Sequence, residues 1–241
     1  MQKVWLTHLG TRPYQEVWEL QEQLLQQNVQ RKSRGEATQH HLLLVEHPPV
    51  YTLGKSGKKE HILIDDEERV AKGIEFFHIN RGGDITFHGP GQIVGYPILD
   101  LEHFKTDLGW YLRTLEEVMI QTLAHYGIEG GRSAGETGAW IEPEKPEKAR
   151  KICAMGIRCS RWITMHGWAF NVNTNLQYFD YIVPCGIKGK AVASLHREVG
   201  HELQMQEVEE VMLAKFAQLF DVQLAPLAIT ELLALVQANK P

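Results

Sequence analysis

Two short stretches of this chain carry residue types that can do covalent chemistry together, although they lie far apart in sequence. The first is Val183-Pro184-Cys185-Gly186-Ile187, a thiol set between a proline and a glycine. Most free cysteines are small buried hydrophobes. A Pro-Cys-Gly turn differs, because it can expose the sulfur and aim the N–H groups that follow at an oxyanion. A thiol attacks as its thiolate, so it needs a cationic or basic neighbour. Lys151, His88, His166 and His196 are the candidates. Lys151 opens the apolar run KICAMGI, where strand alternation predicts it on one face with Cys153 and Met155. Desolvated beside a thiol, its amine can take the proton and hold the thiolate as an ion pair. Cys153 and Cys159 belong to that apolar run or its edge and are expected to be buried.

The densest loop is 81–92, with four glycines in twelve positions between two strand-like runs. Glycine permits positive φ and close backbone approach, so such a loop can wrap a substrate or can be a long turn. It matches neither the dinucleotide-binding glycine pattern nor a lysine-terminated phosphate loop. The twelve histidines are scattered; the adjacent pair His40-His41 falls in an expected loop, and no metal-ligand spacing is evident. No metal and no cofactor are predicted. The segment His166-Gly167-Trp168-Ala169-Phe170-Asn171 reads as a strand, with Gly167 permitting close approach to a pocket.

The elements that must position these groups follow from periodicity. An amphipathic helix begins near Thr11 and Pro13, and HLLLVEH is a buried strand. Runs at 62–64, 74–79 and 93–99 have strand lengths. Leu108, Leu112, Leu115, Met119 and Leu123 form a helical stripe that stops around Gly127. TGAWIE, KICAMGI and ITMHGWAFNVN predict an antiparallel meander, and helical period returns from Val208 to Phe220. The order predicts an α+β fold with a mostly antiparallel sheet flanked by helices, one domain over 1–241, and about the last 40 residues a helical appendage. Three cysteines make no disulfide framework, and no apolar run suggests a membrane span or signal peptide, so a cytoplasmic location is expected. The net charge of -5 argues against a nucleic-acid binder.

Four strings, in order, resemble the octanoyltransferases of lipoate biosynthesis, the lipoate-protein ligase B family. They are HPPVYTLGKSG at 47–57, RGGDITFHGPGQIVGYPILDL at 81–101, KICAMGIRCSRWITMHGWAFNVN at 151–173 and IVPCGIKGKAVASL at 182–195. The resemblance implies a fold shared with biotin and lipoate ligases. It also implies transfer of an octanoyl group from octanoyl-acyl carrier protein to a lysine of a lipoyl domain. Cys185 would form the acyl-thioester and Lys151 would lower its pKa. Substrate would bind Arg81, Gly82, Gly83, Asp84, Ile85, Thr86, Phe87 and His88, then Ala154, Met155 and Gly156, then Gly167, Trp168 and Ala169. Departures are the extra thiols Cys153 and Cys159, and AVASL where VTSL is usual. Rival readings are an ATP-dependent lipoate or biotin ligase and a non-catalytic module that binds a lipoyl domain or an acyl chain. For an acidic carrier protein, basic rims are available at Arg31, Lys32 and Arg34, at Lys55, Lys58 and Lys59, and at Lys188, Lys190 and Arg197, the last being the first choice.

Overall fold

Pro13, with φ fixed near the helical value, launches a leucine-striped helix in the computed structural model, which describes residues 1–183 and 191–238. In chain order the elements are β1 (Gln2–Thr11), α1 (Tyr14–Ser33), β2 (His40–Glu46), β3 (Val50–Leu53), α2 (Asp66–Ala71), β4 (Glu75–His78), β5 (Ile85–His88), β6 (Gln92–Ile98) and α3 (Leu108–His125). Then come β7 (Gly130–Gly131), β8 (Ala139–Ile141), β9 (Arg150–Ser160), β10 (Ile163–Asn171), β11 (Ala191–Val192), α4 (Leu195–Val199), α5 (Met205–Phe220), β12 (Val222–Pro226) and α6 (Ile229–Ala238). Helix α3 starts where the Asp107 carboxylate accepts the Trp110 N–H, and its Leu115, Val118, Met119 and Leu123 are fully buried.

The main sheet runs β12-β1-β2-β6-β10-β9-β8-β7, with β11 also on β9. Its interior strands pair antiparallel from β2 through β8, whereas β12, β1 and β2 are mutually parallel. The predicted meander is therefore present as β8-β9-β10. Helices α3 and α5 cover one face, burying Trp168, Phe170 and Ile93 against Met119, Met212 and Phe216. Helices α1 and α6 cover the other, over Val94, Tyr96, Met165 and Ala169. A second sheet, β4-β3-β5, has its own buried cluster around Tyr51, Ile85, Phe87 and Phe179. No described helix is long and apolar enough to cross a membrane.

Several sequence expectations fail locally. Residues 62–64 form no strand: Ile62 makes a single bridge to Ile182, Leu63 is 58% exposed, and Asp65 caps α2 by accepting the Glu68 N–H. A three-residue apolar run beside a good N-cap yields to the cap. His40 and His41 belong to β2 and are buried, not loop residues. The first strand and β12 pair with each other at the sheet edge, and this long-range pairing leaves no local period that would announce either of them.

Candidate active site

Two glycines let the loop at 81–84 lie directly on the sheet. A Cβ at Gly156 would stand 2.7 Å from the Gly82 carbonyl oxygen, and one at Gly54 would meet the Gly83 oxygen. Bare backbone at both positions allows Gly82 N–H to donate to Ile157 O at 2.9 Å, which fastens the loop to β9. Arg81 supports the loop from inside: buried, it donates to Thr52 O at 2.6 Å, Thr52 Oγ1 at 3.0 Å and Gly82 O at 2.9 Å. Asp84 Oδ1 accepts the Ile85 N–H at 2.7 Å, while Oδ2 lies 2.6 Å from His61 Nδ1.

Between this loop and the sheet lies an inner hollow of about 50 Å³, and outside it a groove of about 380 Å³. Gly83, Asp84, Lys151, Met155 and Gly156 wall both. Arg81, Ile85, Thr86, His88, Ala154, Gly167, Trp168 and Ala169 belong to the inner hollow, and Gly82 to the groove. Phe87 belongs to neither wall: it stacks on Tyr178 at 4.6 Å in the core of the small sheet. Lys151 is nearly buried, with Nζ 4.7 Å from the centre of the Trp140 ring.

Lys151 and Cys153 part company. The β8–β9 pairing shifts register from Ala139↔Cys153 to Trp140↔Lys151, so strict alternation fails between them. Lys151 reaches both hollows, whereas Cys153 is fully buried in the α3 core, where burial pushes its thiol up. Burial also raises Cys159. Neither is prone to ionise. Cys185 lies outside the described residues, as do Lys188 and Lys190. Both flanks of that segment are held at the site. Val183 N–H donates to His61 O at 2.8 Å, Val192 pairs with Lys151, and Ala193 N–H donates to Lys151 O at 2.9 Å.

Behind the inner wall lie polar residues that periodicity did not single out. His88 Nδ1 meets Gln92 Oε1 at 3.0 Å; Gln92 Nε2 donates to Asn171 Oδ1 at 2.9 Å; Asn171 Nδ2 donates to Ala193 O at 2.9 Å. This buried chain joins the glycine loop to the strand that follows residue 190. Tyr14 stacks on His88 with ring centres 5.8 Å apart, and His47 Nε2 meets Tyr96 Oη at 2.9 Å. Tyr14, in the first turn of α1, also walls the pocket. His166 has φ of 58°, a left-handed conformation that is costly for a side-chain-bearing residue in a strand. Its N–H donates to Gln21 Oε1 at 2.9 Å and its Nε2 meets Asn80 Oδ1 at 3.0 Å, tying it to α1 and the 79–81 turn.

Burial dominates the electrostatics. It holds His88 well below the usual imidazole range, helped by His47 and the Arg81 guanidinium, and it lowers His166 to about 3 and His47 to about 4. These histidines are therefore neutral at physiological pH, and His88 and His166 wall the hollow as hydrogen-bonding groups. His196 instead meets Val172 O at 3.0 Å from α4, outside both hollows. Among the described residues, no group of three or more His, Cys, Asp or Glu side chains is placed to hold a metal ion. Of the basic clusters, Lys32 is engaged by Asp100 and Glu102 at 3.0 Å each, and Arg34 by Glu36. Lys55, Lys58 and Lys59 are exposed on the turn whose Ser56 walls the outer groove.

Residues 13–217 match the Lipoyl protein ligase A/B catalytic domain. The chain is 54% identical over 229 residues to the octanoyltransferase of Christiangramia forsetii, covering 92% of this chain and 97% of that one. It is 55% identical over 229 residues to the octanoyltransferase of Flavobacterium johnsoniae, covering 92% and 98% respectively. In fold it is similar to a bipartite lipoate protein ligase from Thermoplasma acidophilum, with a TM-score of 0.72 at 15% identity over 99% of this chain and 92% of that one. It is also similar to a lipoate-protein ligase A bound with ATP, with a TM-score of 0.69 at 14% identity over 98% and 93%.

Proposed function

The chain belongs to the octanoyltransferases of the lipoyl protein ligase A/B family, acyltransferases of protein lipoylation, and from that we propose a two-step route through Cys185. The donor is octanoyl-acyl carrier protein and the acceptor a lysine of a lipoyl domain. Cys185 gives its proton to Lys151, and the thiolate attacks the donor's thioester carbon. The carbon–sulfur bond to the carrier breaks, and the carrier thiolate recovers a proton from the Lys151 ammonium. The acceptor amine then attacks the enzyme thioester, the carbon–sulfur bond to Cys185 breaks as an amide forms, neutral Lys151 takes the amine's proton, and the Cys185 thiolate returns.

One observation carries this reading. The described residues on either side of the segment holding Cys185 are anchored beside the pocket, Val183 by His61, the neighbour of the wall residue Asp84, and Val192 and Ala193 by the wall residue Lys151. These anchors on Val183, Val192 and Ala193 support a route in which Cys185 works with the nearly buried Lys151 amine, the proximity that covalent catalysis requires. The donor is already a thioester, so the route needs no nucleotide. The acyl chain runs along the inner hollow and the groove; burying six methylenes supplies roughly 5 kcal/mol of gross binding at about 0.8 kcal/mol each. Arg81 and the His88 network hold the wall, and Ala154, Gly156 and Gly167 leave room for the chain. Lys55, Lys58 and Lys59 form the rim that attracts an acidic carrier. Residues 1–241 act as one catalytic domain in the reducing cytoplasm, where Cys185 stays a thiol.

Incubation with octanoyl-acyl carrier protein and a lipoyl domain, without ATP, is expected to add one octanoyl group to the domain. Transfer that requires ATP, or formation of a lipoyl-adenylate from free lipoate, would overturn the route.

A further inference from the structure

An acceptor lysine reaches the enzyme as an ammonium: with an ordinary pKa of about 10.4, roughly one in 2,500 is neutral near pH 7. Becoming an amide costs it two protons. In the route above Lys151 is neutral after the carrier leaves, so it can absorb one of them and no more. A second base is needed within reach of the groove.

On the basis of that route, we propose that His61, oriented by Asp84, is the base that deprotonates the incoming lysine. Asp84 is the member of the pair that walls the pocket, and His61 stands directly behind it. Asp84 walls both the inner hollow and the groove, in company with Lys151. Its Oδ1 is fixed by the Ile85 N–H, and its Oδ2 stands 2.6 Å from His61 Nδ1. That approach is short but poorly aligned with the ring N–H, since Nδ1 makes no hydrogen bond of good geometry. Such contacts commonly tighten only when substrate binds. The arrangement assigns Nδ1 to the carboxylate and leaves Nε2 to act, as in other carboxylate-oriented histidines. The His61 carbonyl accepts the Val183 N–H at 2.8 Å, so the base and the entrance to the Cys185 segment are one hydrogen-bonded unit. Other charged or titratable groups of the surrounding elements are Lys58, Lys59 and Glu60 on its own turn, and Asp180 and Tyr181 on the 176–181 turn, whose Tyr181 carbonyl accepts the Leu63 N–H.

The protons then balance. His61 Nε2 takes the first from the ammonium, and the free amine nitrogen bonds to the thioester carbon. Neutral Lys151 takes the second as the carbon–sulfur bond breaks, which restores the Cys185 thiolate and Lys151 ammonium. His61 releases its proton to water.

The test separates the half-reactions of the full-length protein by stopped reaction and intact mass: loading from octanoyl-acyl carrier protein, then hand-over from the octanoyl-enzyme to a lipoyl domain. His61→Gln is expected to slow hand-over by about 10²-fold or more at pH 7, with a far smaller change in loading. The deficit should shrink as pH rises toward the lysine's own range, and Asp84→Asn should show the same pattern more weakly. Equal slowing of both half-reactions, or a hand-over deficit that does not change with pH, would overturn the assignment and leave His61 an anchor of its loop. Failure of the unsubstituted enzyme to load at all would refute the Cys185 route instead.

Discussion

The two faces of the central sheet use the same strands for opposite purposes. Toward α3 and α5, Trp168 and Phe170 of β10 enter an apolar core with Met212 and Phe216. Toward α1, the same region meets Tyr14, His47, His88, Tyr96 and His166, all buried and linked by hydrogen bonds and ring contacts. The first face supplies stability through burial. The second spends some of it on desolvated polar groups that wall a cavity. Gly95 shows how one face limits the other: a Cβ there would collide with the Trp168 indole, so β6 stays bare to let that ring seal the apolar side.

Substitutions should separate the faces. Lys151→Ala is expected to lower octanoyl loading by on the order of 10³-fold with little change in urea midpoint, as measured by rapid-quench mass spectrometry and equilibrium unfolding. A comparable loss of stability would erase the distinction. Phe216→Ala should do the reverse, costing about 3–5 kcal/mol in denaturant unfolding while turnover per folded molecule is retained. Acid tests the polar face as a whole. His166 in the unfolded chain takes a proton below about pH 6.5, but in the folded protein only near 3. Stability is therefore complete above the unfolded value and falls as pH drops, by about 2 kcal/mol at pH 5 from this group alone. Urea titrations at pH 7 and pH 5 measure it; equal midpoints would mean that His166 is not held neutral. An effect of similar size is expected of Gly156→Val. Its Cβ meets the Gly82 carbonyl, so the loop lifts at about 1–3 kcal/mol, with activity lost faster than stability.

Much of this was legible in the sequence because it is local. The α1, α3 and α5 stripes and the meander follow from period alone. The glycine loop, Lys151 and the 166–171 strand stood out by residue type, and of the substrate-binding residues that the family resemblance implied, all but Phe87 wall the hollows. Phe87 was lost because a four-residue strand alternates: Thr86 and His88 face the pocket, while Phe87 packs with Ile85 in the small core. What stayed illegible is non-local. Gln92 and Asn171 look like ordinary strand polars until the β6–β10 register places them opposite each other. A positive φ at His166 and a register shift beside Lys151 also break the alternation on which face assignments depend.

The central claim is that Cys185, and neither Cys153 nor Cys159, carries the acyl group. Intact-mass measurement after mixing with octanoyl-acyl carrier protein, followed by peptide mapping, tests it directly. The expected result is a gain of one octanoyl group on the peptide containing Cys185, retained in Cys153→Ser and Cys159→Ser and absent in Cys185→Ser. An octanoyl group still carried by Cys185→Ser on another residue, or no covalent gain while lipoyl domain is being modified, would contradict it.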